Sequence, residues 1–168
     1  MSNNVSLQCY PDNETYFYRK SDKVETITAD IISLAHYMAQ IMYDHEENGV
    51  SGPHFGLNKR IVVFDCTDDY SNTVYLINPV ILWQSRETSQ CLETCLGYPG
   101  LSLPVNRPNK IKIEALDING KKIGFEATGK YARIVHQQID LLDGIPFTQR
   151  VSRQIRRHLI RKWTKQNE

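Results

Sequence analysis

Apolar residues recur at helical spacing in three stretches of the chain and at strand spacing in several others. Ile31, Leu34, Ala35, Met38 and Met42 share one face of a 3.6-residue repeat, which predicts a core-facing helix over roughly Asp30 to Asp44, with His36 and His45 at its edge or surface. Arg60 to Asp65 is rich in β-branched residues and reads as a buried strand. Thr73 to Asn78 and Pro79 to Trp83 read as two more strands, with Pro79 breaking the run. Lys110 to Asp117 mostly alternates polar and apolar, as a half-exposed strand does. Asn119-Gly120 is a hairpin signal, with a return strand through Lys121 to Ala127. Lys130 to Asp143 reads as one helix ended by Gly144. A terminal helix follows near Thr148 to Lys165, its apolar stripe formed by Val151, Ile155, Leu159 and Trp163. Tyr10-Pro11-Asp12-Asn13 is a turn signal. The order of a helix, many antiparallel strands and two helices predicts an α+β fold.

Composition narrows the class. The 168 residues suffice for one domain with its own core, and the 40% hydrophobic and 23% charged fractions are ordinary for a globular chain. No apolar run approaches the roughly 18 residues of a membrane span, and no leader pattern opens the chain. The expected location is therefore cytoplasmic, with no membrane partner. Four cysteines in a chain of this size do not make a disulfide scaffold, and Cys91 and Cys95 alone are a weak zinc signal. The net charge of +1 conceals an asymmetry: residues 149–168 hold 7 Lys or Arg and one acidic residue, whereas residues 1–148 hold 13 against 18. A basic tail on an acidic body predicts a polyanionic partner. Residues 1–148 are read as the main domain and 149–168 as a basic amphipathic helix packed on or extending from it.

Three segments carry candidate chemistry. Gly49 to Gly56 is a glycine-rich loop followed by a strand. It is no phosphate loop, because it lacks a Gly-Lys-Ser/Thr ending and a following helix. With the strand after it, it resembles the Gly-x-Gly-Leu-Ala-Ala-Pro-Gln loop of peptide deformylases. Glu93-Thr94-Cys95-Leu96-Gly97 and the following Pro99-Gly100 resemble that family's Glu-Gly-Cys-Leu-Ser segment and Pro-Gly. Arg133 to Gly144 matches its Gln-His-Glu-x-Asp-His-Leu-Asp-Gly helix without a gap. The resemblance covers nearly the whole chain. It implies a fold of mostly antiparallel sheets around a central helix that carries the metal motif, with a basic C-terminal helix. It also implies hydrolysis of the formyl group from N-terminal formylmethionine, with a divalent metal held by one cysteine and two histidines, a glutamate as general base and a loop glutamine at the oxyanion.

The residues at those positions depart from the pattern. Cys95 stands at the cysteine ligand, Gln137 and Leu141 at the two histidines, Gln138 at the general base and His54 at the loop glutamine. Leu141 has no donor atom, Gln137 offers only a neutral amide, and Gln138 does not titrate. At about 100° per residue from Ile134, Gln137, Leu141 and Gln138 fall near 300°, 340° and 40°. His136 and Asp140 fall near 200° and 240°, so they do not replace the lost ligands, and His136 is expected on the outer side of the helix. Leu141 is expected to pack in the core and Cys95 to act as a small buried hydrophobe. Gln138 should require a hydrogen-bond partner, with His54 the nearest candidate.

The sequence reading is thus of a catalytically inactive homologue with a binding or regulatory role and no metal. Its alternative is a hydrolase of weak or altered activity on formylmethionine peptides, with iron, nickel or zinc bound. The candidate peptide groove is Gly49, Val50, Gly52, His54, Cys95 and Leu96. Nascent peptide N-termini are the expected ligand. By the same resemblance, the large ribosomal subunit is the expected partner of Arg150, Arg153, Arg157, Arg161 and Lys165.

Overall fold

A computed structural model describes residues 6–9, 14–67 and 69–167. The turn expected at Tyr10 to Asn13 lies outside them. Among the described residues, three helices and seven strands make an α+β fold: α1 (Ala29–Asp44), β1 (Gly49–Ser51), β2 (Ile61–Phe64), β3 (Val74–Gln84), β4 (Thr88–Glu93), β5 (Leu103–Pro108), β6 (Lys110–Leu116), β7 (Lys122–Thr128), α2 (Gly129–Leu142) and α3 (Arg153–Asn167). Short 3₁₀ turns occupy Glu14–Tyr18, Gly52–Phe55 and Phe147–Arg150. The strands form an antiparallel five-stranded sheet in the order β1-β2-β3-β6-β7 and a separate β4-β5 pair.

The two-residue period of β2 decides how the layers stack. Ile61 and Val63 turn to one face and pack with Met38 and Met42 of α1. Val62 and Phe64 turn to the other and pack with Val135, Ile139 and Leu142 of α2. The sheet therefore lies between α1 and α2, and β2 is buried on both faces, as its continuous apolar run requires. A third cluster joins Phe17, Tyr98, Leu103, Val105, Leu141, Phe147 and Trp163 beside the β4-β5 pair. Leu141, 3% exposed, packs there as core.

Three expectations change. Pro79 does not divide two strands. β3 runs through it with a register shift between Ile77 and Val80, and Asn78 sits at φ +54°, a conformation asparagine tolerates better than most residues. The Asn78 side chain closes the bulge by bonding both backbone groups of Val24. The terminal helix is divided at Val151-Ser152, where Ser152 Oγ accepts the Ile155 amide and starts α3. Ile155 is 41% exposed, so the buried side of α3 is formed by Leu159, Ile160 and Trp163 instead of the full four-residue repeat. Gly144 does end α2, at φ +75°. No helix among the described residues is long and apolar enough to cross a membrane.

Candidate active site

The site lies where α2 passes between β1 and β4. Gly49 permits this approach: a β-carbon there would stand 2.8 Å from Ile134 Cγ2. Gln138 Nε2 donates to the Gly49 carbonyl at 3.1 Å, and Gln137 Nε2 donates to the Thr94 carbonyl at 2.8 Å. The two carboxamides thus tie α2 to the β1 strand and to the end of β4. The partner of Gln138 is the Gly49 backbone, not His54, because that carbonyl faces the helix directly. The same carbonyl settles the amide orientation, since a reversed amide would set oxygen against oxygen. Gln138 Oε1 is then a buried acceptor with no hydrogen-bond partner among the described residues.

A pocket of about 200 Å³ opens above these amides, lined by Glu47, Gly49, Leu92, Thr94, Lys130 and Gln137 among others. One of its walls is β1, at the edge of the large sheet, and another is β4, paired only with β5. Glu47 was not among the residues anticipated. Glu46, at φ +55°, turns the chain after α1, and the Glu47 amide bonds back to the Met42 carbonyl. This turn delivers a carboxyl to the pocket, and burial raises its pKa above the ordinary glutamate value. A carboxylate two residues before the glycine loop was the available signal, but a helix-to-loop turn of unknown shape hid its direction.

His54 and Cys95 meet on the inner side. His54 Nδ1 accepts the Ser51 amide at 3.1 Å, which leaves the proton on Nε2, 3.3 Å from Cys95 Sγ. Burial pushes the His54 imidazole down to about 4, so it is neutral near pH 7. Burial likewise pushes the Cys95 thiol up to about 12. The Phe17 ring closes the space beside them, and only a glycine at position 97 admits it, since a β-carbon there would come within 2.4 Å of Phe17 Cζ. Of the other groove residues expected from sequence, Gly49 lines the pocket, whereas Val50 and Leu96 pack in the core beneath α1 and Gly52 is buried.

His136 and Asp140 lie away from this pocket, as their angles require, but they are not on an outer surface. They are 5% exposed and enclose Arg107, which is fully buried. Arg107 donates through Nε and Nη2 to both oxygens of Glu93, at 2.7 and 2.8 Å, and through Nη1 to Asp140 at 2.6 Å. Arg107 Nη1 also lies 2.8 Å from His136 Nδ1. Arg133 binds the Glu93 carboxylate from the other side, and Arg150 Nε donates to Asp140 at 2.8 Å. Burial alone would raise the Asp140 pKa, but contacts with His136 and Arg150 and the charge of Arg107 hold it well below the carboxylate range. Residues 107 and 140 were far apart in sequence, so nothing in the helix itself announced a cation waiting behind it.

The residues at the family's ligand positions do not suit a divalent metal. Leu141 presents no donor and sits in an apolar cluster, the Gln137 amide nitrogen is bonded to Thr94, and the Cys95 sulfur faces an imidazole N–H. Among the described residues no group of three or more His, Cys, Asp or Glu side chains is arranged to hold a metal ion. The four cysteines are free thiols.

Comparison with known proteins places this arrangement in a family. Residues 6–157 match the polypeptide deformylase family model. A peptide deformylase of Polynucleobacter necessarius is 33% identical over 148 residues, covering 88% of this chain and 85% of that one. Peptide deformylase 1 of Clostridium perfringens is 40% identical over 129 residues, covering 77% and 86%. The crystal structure of a Synechococcus elongatus peptide deformylase in complex with actinonin superposes with a TM-score of 0.87 at 29% identity, covering 95% and 87%. These relatives overturn the reading of an inactive binding or regulatory protein, which rested on the residues at Gln137, Gln138 and Leu141 of α2 and on His54 in the loop before β2. Proteins named peptide deformylase match at 33–40% identity across most of the chain, and they favour the deformylase alternative. By the family match over residues 6–157 and by these relatives, the chain belongs to the peptide deformylase family.

Proposed function

We propose that this chain hydrolyses the formyl group from N-terminal formylmethionine of peptides, with an activity altered by the residues that replace the family's ligands and base. The observation that carries the reading is the pocket between two unpaired strand edges, with a carboxyl of raised pKa and two anchored carboxamides in its walls. An extended peptide adds readily to a strand edge, where backbone hydrogen bonds hold it in register. In the reaction, water adds to the formyl carbon, the C–N bond breaks, and formate and a free amine leave. Because the donor set does not suit a metal, the proton transfers are assigned to protein groups. Glu47 takes the proton of the attacking water and returns it to the departing nitrogen, a role that requires a titratable carboxyl near the reacting atoms. Gln137 and Gln138 orient the amide, and the Nε2–H of His54 is the donor placed on the Cys95 side.

The test is formate release from formyl-Met-Ala-Ser by the full chain, purified with iron, nickel or zinc added or with a chelator throughout. Formate in step with free amine, above a heat-denatured control, is expected in both preparations. Absence of formate in all of them sinks the reading, and activity confined to one metal sinks the assignment of proton transfer to Glu47 alone.

We also propose the large ribosomal subunit as the partner of α3, with Arg153, Arg157, Arg161 and Lys165 meeting its phosphates and nascent N-termini as the ligands delivered. These four side chains are exposed. Arg150, exposed at the foot of α3 and ion-paired with Asp140, is the fifth basic residue of this face.

A further inference from the structure

A cavity of about 410 Å³ opens near the C-terminal end of α2 and shares no lining residue with the active-site pocket. Its walls include Lys20, Ser21 and Lys23 from the segment before α1, Arg60 just before β2, Val80 of β3 and Ile139 of α2. The backbone of the first segment is fixed on both sides. The Ser21 amide donates to the Leu142 carbonyl at 2.7 Å, the Arg60 amide donates to the Asp22 carbonyl at 2.9 Å, and Asn78 holds Val24. Alternate side chains of an extended segment share a face, so Ser21 and Lys23 turn to the cavity while Asp22 accepts from Asn58 Nδ2 at 2.6 Å.

The cavity holds unused donors. Ser21 is 4% exposed, yet its Oγ has no hydrogen-bond partner among the described residues. A hydroxyl so buried ordinarily has one. Arg60, also buried, donates through Nη1 to Asp143 and through Nη2 to the Pro79 carbonyl, and its Nε has no partner among the described residues. Lys20 and Lys23 are exposed and form no ion pair among the described residues.

The acceptors, by contrast, are matched. Of the two carboxylates that also line the cavity, Asp140 is paired with Arg107 and Arg150, and Asp143 with Arg60. The carbonyls that end α2 are closed as well: Ile139 by the Asp143 amide, Asp140 by Ile145, Leu141 by Gly144 and Leu142 by Ser21. A cation therefore meets neither an unmatched carboxylate charge nor an open helix end. An oxyanion meets two unpaired ammonium groups and a hydroxyl and guanidinium with hydrogens to give. Val80 and Ile139 add an apolar side.

We propose that this cavity binds a small organic oxyanion, a carboxylate or a phosphate ester carried on a short apolar body. The head group accepts from Ser21 Oγ and Arg60 Nε and lies near the charges of Lys20 and Lys23, and the body covers Val80 and Ile139. The ligand is bound apart from the pocket around Glu47, so the site stands or falls independently of the deformylase reading.

The experiment titrates the isotopically labelled full chain at low salt with acetate, butyrate, inorganic phosphate, butyl phosphate or butylammonium, and follows the amide resonances of Ser21 and Lys23 by NMR. Saturable shifts are expected with butyrate and butyl phosphate, the tighter of the two naming the head group, and none with butylammonium. Each butyl oxyanion is expected to bind about tenfold more tightly than its parent ion, because the added methylenes leave water. Replacing Lys20 and Lys23 together by Ala should weaken binding about tenfold, and Ser21→Ala about fivefold. Ser21→Ala removes a hydroxyl without a partner among the described residues, so its melting temperature should not fall. No saturable shift with either butyl oxyanion, a shift with butylammonium, parent ions that bind as tightly as the butyl compounds, affinity unmoved by the lysine replacements, or a Ser21→Ala protein that melts lower each overturns the site.

Discussion

Glu47 is held with its carboxyl above the ordinary glutamate range by burial, and that direction has a kinetic consequence. Only the ionised carboxylate takes a proton, so the rate should rise with pH through this raised pKa and level above it. Glu47→Gln should lower kcat/KM by about 10²- to 10⁴-fold and remove that limb of the profile. A mutant that keeps the limb assigns the proton transfer elsewhere. His54 does not supply the limb, since its neutral form persists down to about pH 4. At this scale the helical angles put Gln137 and Gln138 toward the β1 and β4 side of α2 and Leu141 into core, where the structure has them. The sequence did not reach Glu47, whose direction depends on the left-handed turn at Glu46.

At the scale of elements, the buried cluster around Arg107 joins β4 and β5 to α2 and to the turn before α3. Glu93 contributes from β4, Arg107 from β5, Asp140 from α2 and Arg150 from the 3₁₀ turn. Removing one partner of such a pair leaves an uncompensated buried charge, so Asp140→Asn should cost about 3–5 kcal/mol at neutral pH. The Asp140 pKa is lowered by folding, so its stabilisation is present above the unfolded carboxylate value of about 3.9 and is lost as pH falls below it. Urea unfolding of both proteins at pH 7 and pH 3 checks this. The difference between them should shrink at the lower pH, and a constant difference would remove the charge from the account. Helical periodicity put His136 and Asp140 on their own face of α2. It could not show that a strand thirty residues earlier covers that face with a guanidinium.

For the whole molecule, a basic helix is set at one end of a more acidic body. α3 holds to that body through Leu159, Ile160 and Trp163, whose indole Nε1 donates to the Pro99 carbonyl at 2.8 Å, and turns its arginines outward. Co-sedimentation with ribosomes should weaken steeply as salt is raised, by about 10³-fold or more between 50 and 200 mM if six or so phosphates are contacted. Reversing Arg157 and Arg161 to Glu should abolish it while the melting temperature stays within a few degrees, because both side chains are exposed. Binding that persists in the reversed protein would sink the ribosome as the partner of this face.

The hydrophobic periods by themselves determined the α+β class, the two core helices and the β6-β7 hairpin, because each depends on spacing within one short stretch. The gapless motif pointed to the family, which the family match over residues 6–157 bears out. Tertiary structure alone decided that β3 bulges through Pro79 without stopping, that Gln138 bonds to Gly49 and not to His54, and that Asp140 is buried against Arg107. These outcomes depend on contacts between residues 33 to 89 positions apart, for which a local pattern carries no signal.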